Sequence, residues 1–96
     1  MAKVRWTNAA VNDLQAIREY AADSSTVYAE RLTERLIART AILADFPQAG
    51  RMVPEFQQPA IRELTERNYR IIYLIVNDSR VDIIRIHHSS RPLSEL

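Results

Sequence analysis

The side chains best equipped for chemistry in this chain are few, and most sit in its second half. His87 and His88 are the only histidines, and histidine is the natural proton carrier near neutral pH. Consecutive strand residues point to opposite faces, so the pair is poorly placed to chelate one metal, and at most one faces any given cleft. The plain alternative is a pair of strand-end histidines that only hydrogen-bond. Arg51, Arg62, Arg70, Arg85 and Arg91 also fall in this half. Arg70 interrupts an otherwise apolar run, Tyr69–Val76 (YRIIYLIV). A guanidinium in such a run must pair with a carboxylate or line a cleft. One reading is a structural salt bridge to Glu63 on a neighbouring strand, and the other is an anion-facing arginine on the sheet surface. Arg62 and Glu63 point to opposite faces of their strand and cannot serve one cleft together. Tyr20, Tyr28, Tyr69 and Tyr73 read as core or rim rather than as platforms for nucleotide bases. Gly50 is the only glycine and there is no cysteine, so phosphate-cradling loops, zinc-binding cysteine sets and thiolate chemistry are absent. No metal and no cofactor are expected.

The elements that position these residues follow from periodicity and punctuation. Lys3–Thr7 (KVRWT) alternates as a short strand. Thr7 or Asn8 is a suitable N-cap for a helix to about Ala22, with Ala10, Leu14, Ile17 and Ala21 as its apolar stripe. Asp23, Ser24 and Ser25 break that helix and cap a second one, from about Thr26 to Phe46. Its apolar face is expected to hold Ala29, Leu32, Leu36, Leu43 and Phe46, and Pro47 ends it. Pro47, Gly50, Pro54 and Pro59 make residues 47–59 a breaker-rich stretch. Ile61–Thr65 then alternates as a strand. Tyr69–Val76, apolar on both faces, reads as a central strand covered on each side. Asn77, Asp78 and Ser79 form a hairpin turn, and Val81–His88 is the last strand. Simple alternation puts Asp82, Ile84, Ile86 and His88 on one face, and Val81, Ile83, Arg85 and His87 on the other. Residues 89–96 read as a tail. The order is β-α-α-β-β-β, an α+β fold in which a helical hairpin packs on a mainly antiparallel curved sheet.

Composition narrows the function. Ninety-six residues make one domain, 1–96, able to bury a little over ~60% of its extended surface. No apolar window is long enough for a membrane span, and Lys3, Arg5, Asp13, Arg18 and Glu19 leave no signal-peptide core in residues 1–20. A cytoplasmic protein is expected, without a membrane partner. Of thirteen basic residues only Lys3 is lysine, and twelve acidic residues bring the net charge to +1. That balance excludes a grossly cationic nucleic-acid coat. Arginine's planar fork suits carboxylate contacts, inside the fold or with an acidic partner.

The ordered set WTNAAVNDLQAIREYAA, DFPQAGRMVPE, IREL, YRIIYLI and VDIIRIHHSSRP resembles the RelE/ParE toxin superfamily of bacterial toxin–antitoxin modules over nearly the whole chain. It looks more like the ParE branch, through Pro47, Gly50-Arg51, Val53-Pro54-Glu55 and the His88 to Arg91-Pro92 end. The resemblance implies a type II toxin that inhibits DNA gyrase by protein–protein contact, without chemistry of its own and without direct DNA binding. Arg51, Arg62, Arg70, His88 and Arg91 are then the residues expected to meet the target. It also implies a ParD-like antitoxin with a ribbon-helix-helix end, joined to the toxin in a hetero-oligomer. The antitoxin's tail is expected along the helical hairpin, using Val11, Val27 and Ile37, with an open sheet edge able to accept an added strand from it. The alternative is a RelE-like, ribosome-dependent mRNA endoribonuclease. Arg70 would then clamp phosphate, His88 would be the acid, and Glu55 or Glu63 would be the base. A third reading is an inert plasmid-stabilisation relative that only binds its antitoxin. The single lysine, the lack of any tyrosine after Tyr73 and the near-neutral charge favour a protein target over RNA.

Overall fold

A computed structural model of the chain describes residues 1–91 and 93. The elements are β1 (Lys3–Trp6), α1 (Asn8–Ala22), α2 (Thr26–Thr40), a 3-10 turn (Ala41–Ala44), β2 (Arg51–Met52), β3 (Ile61–Glu66), β4 (Tyr69–Asn77) and β5 (Arg80–His88). Part of the tail expected over 89–96, residues 92 and 94–96, lies outside the described residues.

Local chemistry sets the helix starts. Thr7 is the N-cap of α1, its hydroxyl accepting from the Ala10 amide at 3.2 Å. Ser25 does the same for α2 through Tyr28 N–H at 3.1 Å. The end of α2 differs from the expected Phe46. At Thr40 the hydroxyl donates to the Ile37 carbonyl, and the Ala41 amide bonds back only three residues, so the last turn tightens. Tightening rotates each later side chain by about 120° instead of 100°. Leu43 stays buried, but Phe46 swings outward and is 63% exposed, off the apolar face assigned to it above.

The five strands form one mixed sheet in the order β1-β5-β4-β3-β2. β1 runs parallel to β5, while β5-β4, β4-β3 and β3-β2 are antiparallel. The two-residue β2 lies inside the breaker-rich stretch, where no strand was expected. β4 is the central strand, covered on both faces as its composition predicts. On one face α1 and α2 bury Ala10, Ala29, Leu32 and Leu36 against Leu64, Ile71, Tyr73, Val81 and Ile83. On the other, Val53, Phe56 and Leu93 cover Ile61, Ile72 and Ile84. The cover on that face comes largely from the strap, residues 53–60 between β2 and β3.

A register shift corrects the expected faces of β5. Ile72 pairs with Arg85 but Tyr73 pairs with Ile83, so Ile84 is an extra, bulged residue. Past the bulge the alternation inverts. Ile86, opposite Ile71, and His88, opposite Tyr69, join Val81 and Ile83 on the helix side. Arg85 and His87 lie with Asp82 on the strap side.

Beyond the end of β1, the outer edge of β5 is capped by α1. The Asp13 carboxylate accepts from the Ile86 amide at 2.9 Å and from Arg85 at 2.7 and 3.1 Å. Arg80 and Asp82 make a second paired fork near the start of β5, at 2.8 and 2.9 Å.

Candidate functional site

The strap face gathers four charged side chains from four segments. Glu63, on β3, is nearly sealed, its side chain 3% exposed. Each of its oxygens takes a different arginine. Oε2 accepts from Arg51 Nε of β2, and Oε1 from Arg70 Nε of β4, both at 2.6 Å. Arg70 then reaches outward, and its Nη1 and Nη2 donate to the Glu55 carboxylate of the strap at 2.7 and 2.8 Å. The series Arg51, Glu63, Arg70, Glu55 is therefore an alternating row of charges. A buried carboxylate carries a large desolvation cost that its partners must offset, and Glu63 has two.

The row perturbs its members. The Arg70 hydrogen bonds hold the Glu55 carboxyl down at about 2, with Arg51 adding a smaller charge effect. Glu55 in turn raises Arg70 further above its already basic range.

Next to the row lies a clasp that fixes where the strap begins. The Tyr73 hydroxyl donates to the Pro47 carbonyl at 2.7 Å and accepts from the Gly50 amide at 2.9 Å. A Cβ on Gly50 would collide with the Glu63 carbonyl oxygen and would lie 2.7 Å from the Tyr73 hydroxyl, which is why this position is glycine. Arg62, on the opposite face of β3 from Glu63, donates to the carbonyls of Gly50 and Pro59 at 3.0 Å each. It ties the residue before β2 to the end of the strap. Its two nitrogens on carbonyls make it a structural brace as well as a surface cation.

The two histidines are separated as the strand geometry requires. His87 is opposite Arg70 in register, and its Nε2 lies 2.9 Å from the Arg91 carbonyl, which can only accept. His88 is on the helix side, edge-on to Tyr69 with ring centroids 5.2 Å apart. Its Nδ1 lies 2.6 Å from Ser90 Oγ. Arg70 and His88 thus occupy opposite faces and share no cleft. Arg91 is exposed at the end of β5, and Arg51 is exposed over most of its side chain. Val11, Val27 and Ile37 all remain on the outer surface of the helical hairpin, together with Tyr20 and Tyr28.

Among the described residues, no set of three histidine or carboxylate groups is placed to hold a metal, and no helix is long and apolar enough to cross a membrane. An open groove of about 490 Å³ between Phe46, Pro47, Ile75 and Asp78 contains none of the candidate target, antitoxin or catalytic residues named from the sequence. Sequence reasoning missed the Asp13 cap and the pairing of Glu55 with Arg70. The former joins residues 72 apart and left no local signal.

Fold and surface together define a small α+β protein with two helices on a five-stranded mixed sheet. The chain belongs to the family described as the ParE toxin of type II toxin-antitoxin system, parDE, which it matches over residues 4–93. It is 37% identical over 91 residues to Toxin RelE2 of Caulobacter vibrioides, covering 95% of this chain and 99% of that protein. A solved structure of the chromosomal ParDE TA system from P. aeruginosa aligns with a TM-score of 0.77 at 24% identity, over 92% of this chain and 96% of that one. At that identity the likeness concerns the fold, and the two helices on a five-stranded mixed sheet are shared.

Proposed function

We propose that this toxin inhibits DNA gyrase by protein–protein contact, in the cytoplasm, and is neutralised by a cognate ParD-like antitoxin in a hetero-oligomer. The observation that carries the target reading is the separation of Arg70 from His88. Cleavage of RNA at one phosphate needs a cation and a proton donor in one cleft. Here the cation is on the strap face with its donors given to Glu55 and Glu63, and the imidazole is on the helix side. The net charge of +1 points the same way, because ribosomal RNA is docked through many phosphate contacts. Arg51, Arg62, Arg70, His88 and Arg91 remain the residues assigned to the target. For the antitoxin, exposed apolar residues on the helical hairpin support a tail lying there, with Val11, Val27 and Ile37 as contacts.

The test is supercoiling by purified gyrase with micromolar toxin, run beside mRNA cleavage on ribosomes. Inhibition of supercoiling without cleavage is expected. Cleavage without inhibition overturns the reading in favour of the endoribonuclease, and loss of toxicity in a folded His88→Ala variant would go with it. Absence of growth inhibition on induction without antitoxin would instead leave an inert antitoxin-binding relative. Co-expression with the product of the neighbouring reading frame is expected to yield a stable complex.

A further inference from the structure

We propose that Arg70 and Arg51, held on buried Glu63, form a carboxylate-binding site that Glu55 fills in cis, and that an acidic side chain of a partner protein takes this place by displacing Glu55. The inference rests on the reading that the toxin works through protein contact. The site itself needs no partner to be tested.

Three features of the row carry it. First, the arginines are fixed from behind. Glu63 is almost wholly buried and takes Nε from both, and Arg70 Nη2 also lies 2.6 Å from its Oε1, so Arg70 cannot turn away and the edge carrying Nη1 stays aimed outward. A planar fork fixed in this way is preorganised for a two-oxygen anion. Second, the group now on the fork is the most exposed member of the pair. The Glu55 side chain is 35% exposed against 12% for Arg70, and it hangs from the strap rather than from a strand. It can swing into solvent without disturbing the sheet. Third, the charges count in favour of one carboxylate. With Glu55 turned out, Arg51, Arg70 and Glu63 leave a single positive charge, which one carboxylate neutralises and a phosphate dianion overshoots. Arg51 adds uncommitted donors at the rim, since only its Nε is bonded among the described residues.

Glu55 then acts as an internal competitor. It keeps the outer edge of Arg70 from standing bare on the surface, and it weakens any partner carboxylate by the fraction of time it holds the fork. Opening the site does not restore an RNA-cleaving centre, because His88 stays on the other side of the sheet.

Glu55→Ala empties the place, and acetate is the probe that refills it. Thermal unfolding of the full chain is measured in acetate, chloride and phosphate at matched ionic strength near neutral pH, with the Arg70 Nε–H resonance followed by NMR. The variant's midpoint is expected to rise by several degrees with acetate over chloride, and its Arg70 resonance to move, while the wild type responds to neither. Adding Arg70→Lys is expected to abolish the response. Equal midpoints in acetate and chloride with a still Arg70 resonance would overturn the site. A stronger response to phosphate than to acetate would overturn the carboxylate assignment. Should Glu55→Ala fold poorly, Glu55→Gln, which keeps an oxygen on the fork but loses its charge, is read by the same resonance with the same two outcomes. A failed gyrase assay leaves these results untouched, so the two readings fall separately.

Discussion

The sheet has two faces closed in different ways. Toward α1 and α2 it is sealed by aliphatic side chains, with Leu32, Leu36, Ile71 and Ile83 fully buried. Toward the strap, a smaller apolar cluster around Val53 and Ile72 is continued by the Arg51, Glu63, Arg70, Glu55 row. The first face is held by area removed from water, which does not titrate and is not screened by salt as charge pairs are. The second is held by directed charge pairs, which are replaceable by other charges and fail when one partner is lost. Aliphatic packing and directed charge pairing are thus kept on separate faces of the sheet.

Four measurements break or sharpen that contrast, the largest first. Glu63→Ala leaves Arg70 buried without its inner partner, and urea unfolding is expected to show a loss of about 4 kcal/mol. That is a large part of the roughly 5–14 kcal/mol available to a domain of this size. A loss under about 1 kcal/mol would mean that the apolar cluster alone holds the strap face. Leu36→Ala, on the helix face, is expected to cost about 3 kcal/mol by cavity formation. Unlike Glu63→Ala, its cost should be the same in low and high salt. Tyr73→Phe removes the clasp, orphans the buried Gly50 amide and is expected to cost about 2 kcal/mol. Hydrogen exchange should then quicken at Gly50 and in the strap while α1 and α2 keep their protection. Uniform quickening would show that the two faces open as one unit.

How much of this was legible in the sequence depends on distance along the chain. Thr7 and Ser25 act on amides three residues away, and both stood among the cap candidates, Thr7 beside Asn8 and Ser25 beside Asp23 and Ser24. The covered central strand was readable too, because YRIIYLIV has no polar face. The pairing of Arg70 with Glu63 followed from the cost of burying a lone guanidinium, and it left the alternative of an open cleft standing until the geometry was known. The β5 bulge was not readable, since an inserted residue leaves VDIIRIHH looking like a regular strand and changes only what each residue opposes. Phe46 was misplaced for a similar reason, a helix that changes pitch at Thr40. Glu55 was seen as a carboxylate but not as Arg70's partner. Its place is set by a strap that bends through Gln57 at a positive φ and is tied by Arg62, and neither leaves a local pattern.

The smallest effect is the most direct probe of the strap face, because it titrates the outer end of the charge row. Glu55 has a folded pKa of about 2 against an ordinary 4.5, with Arg70 as the main cause. The folded value is the lower one, so the pair's contribution is present above about pH 4.5 and is lost as pH falls from there toward about 2. The carboxylate is solvent-exposed, and screening reduces the expected contribution to about 1 kcal/mol. Asp82, lowered by its bond from Arg80, loses stability in the same direction. The wild-type profile alone therefore does not isolate Glu55. Stability against pH is to be compared with Glu55→Gln, which keeps Asp82 and every apolar contact. The variant's curve is expected to start lower at neutral pH and to converge on the wild type as acid protonates Glu55. Parallel curves down to about pH 2 would show that the Arg70 to Glu55 contact contributes nothing to folding. Convergence with unchanged exchange rates in α1 and α2 would place the Glu55 share of the acid sensitivity on the strap side of the sheet.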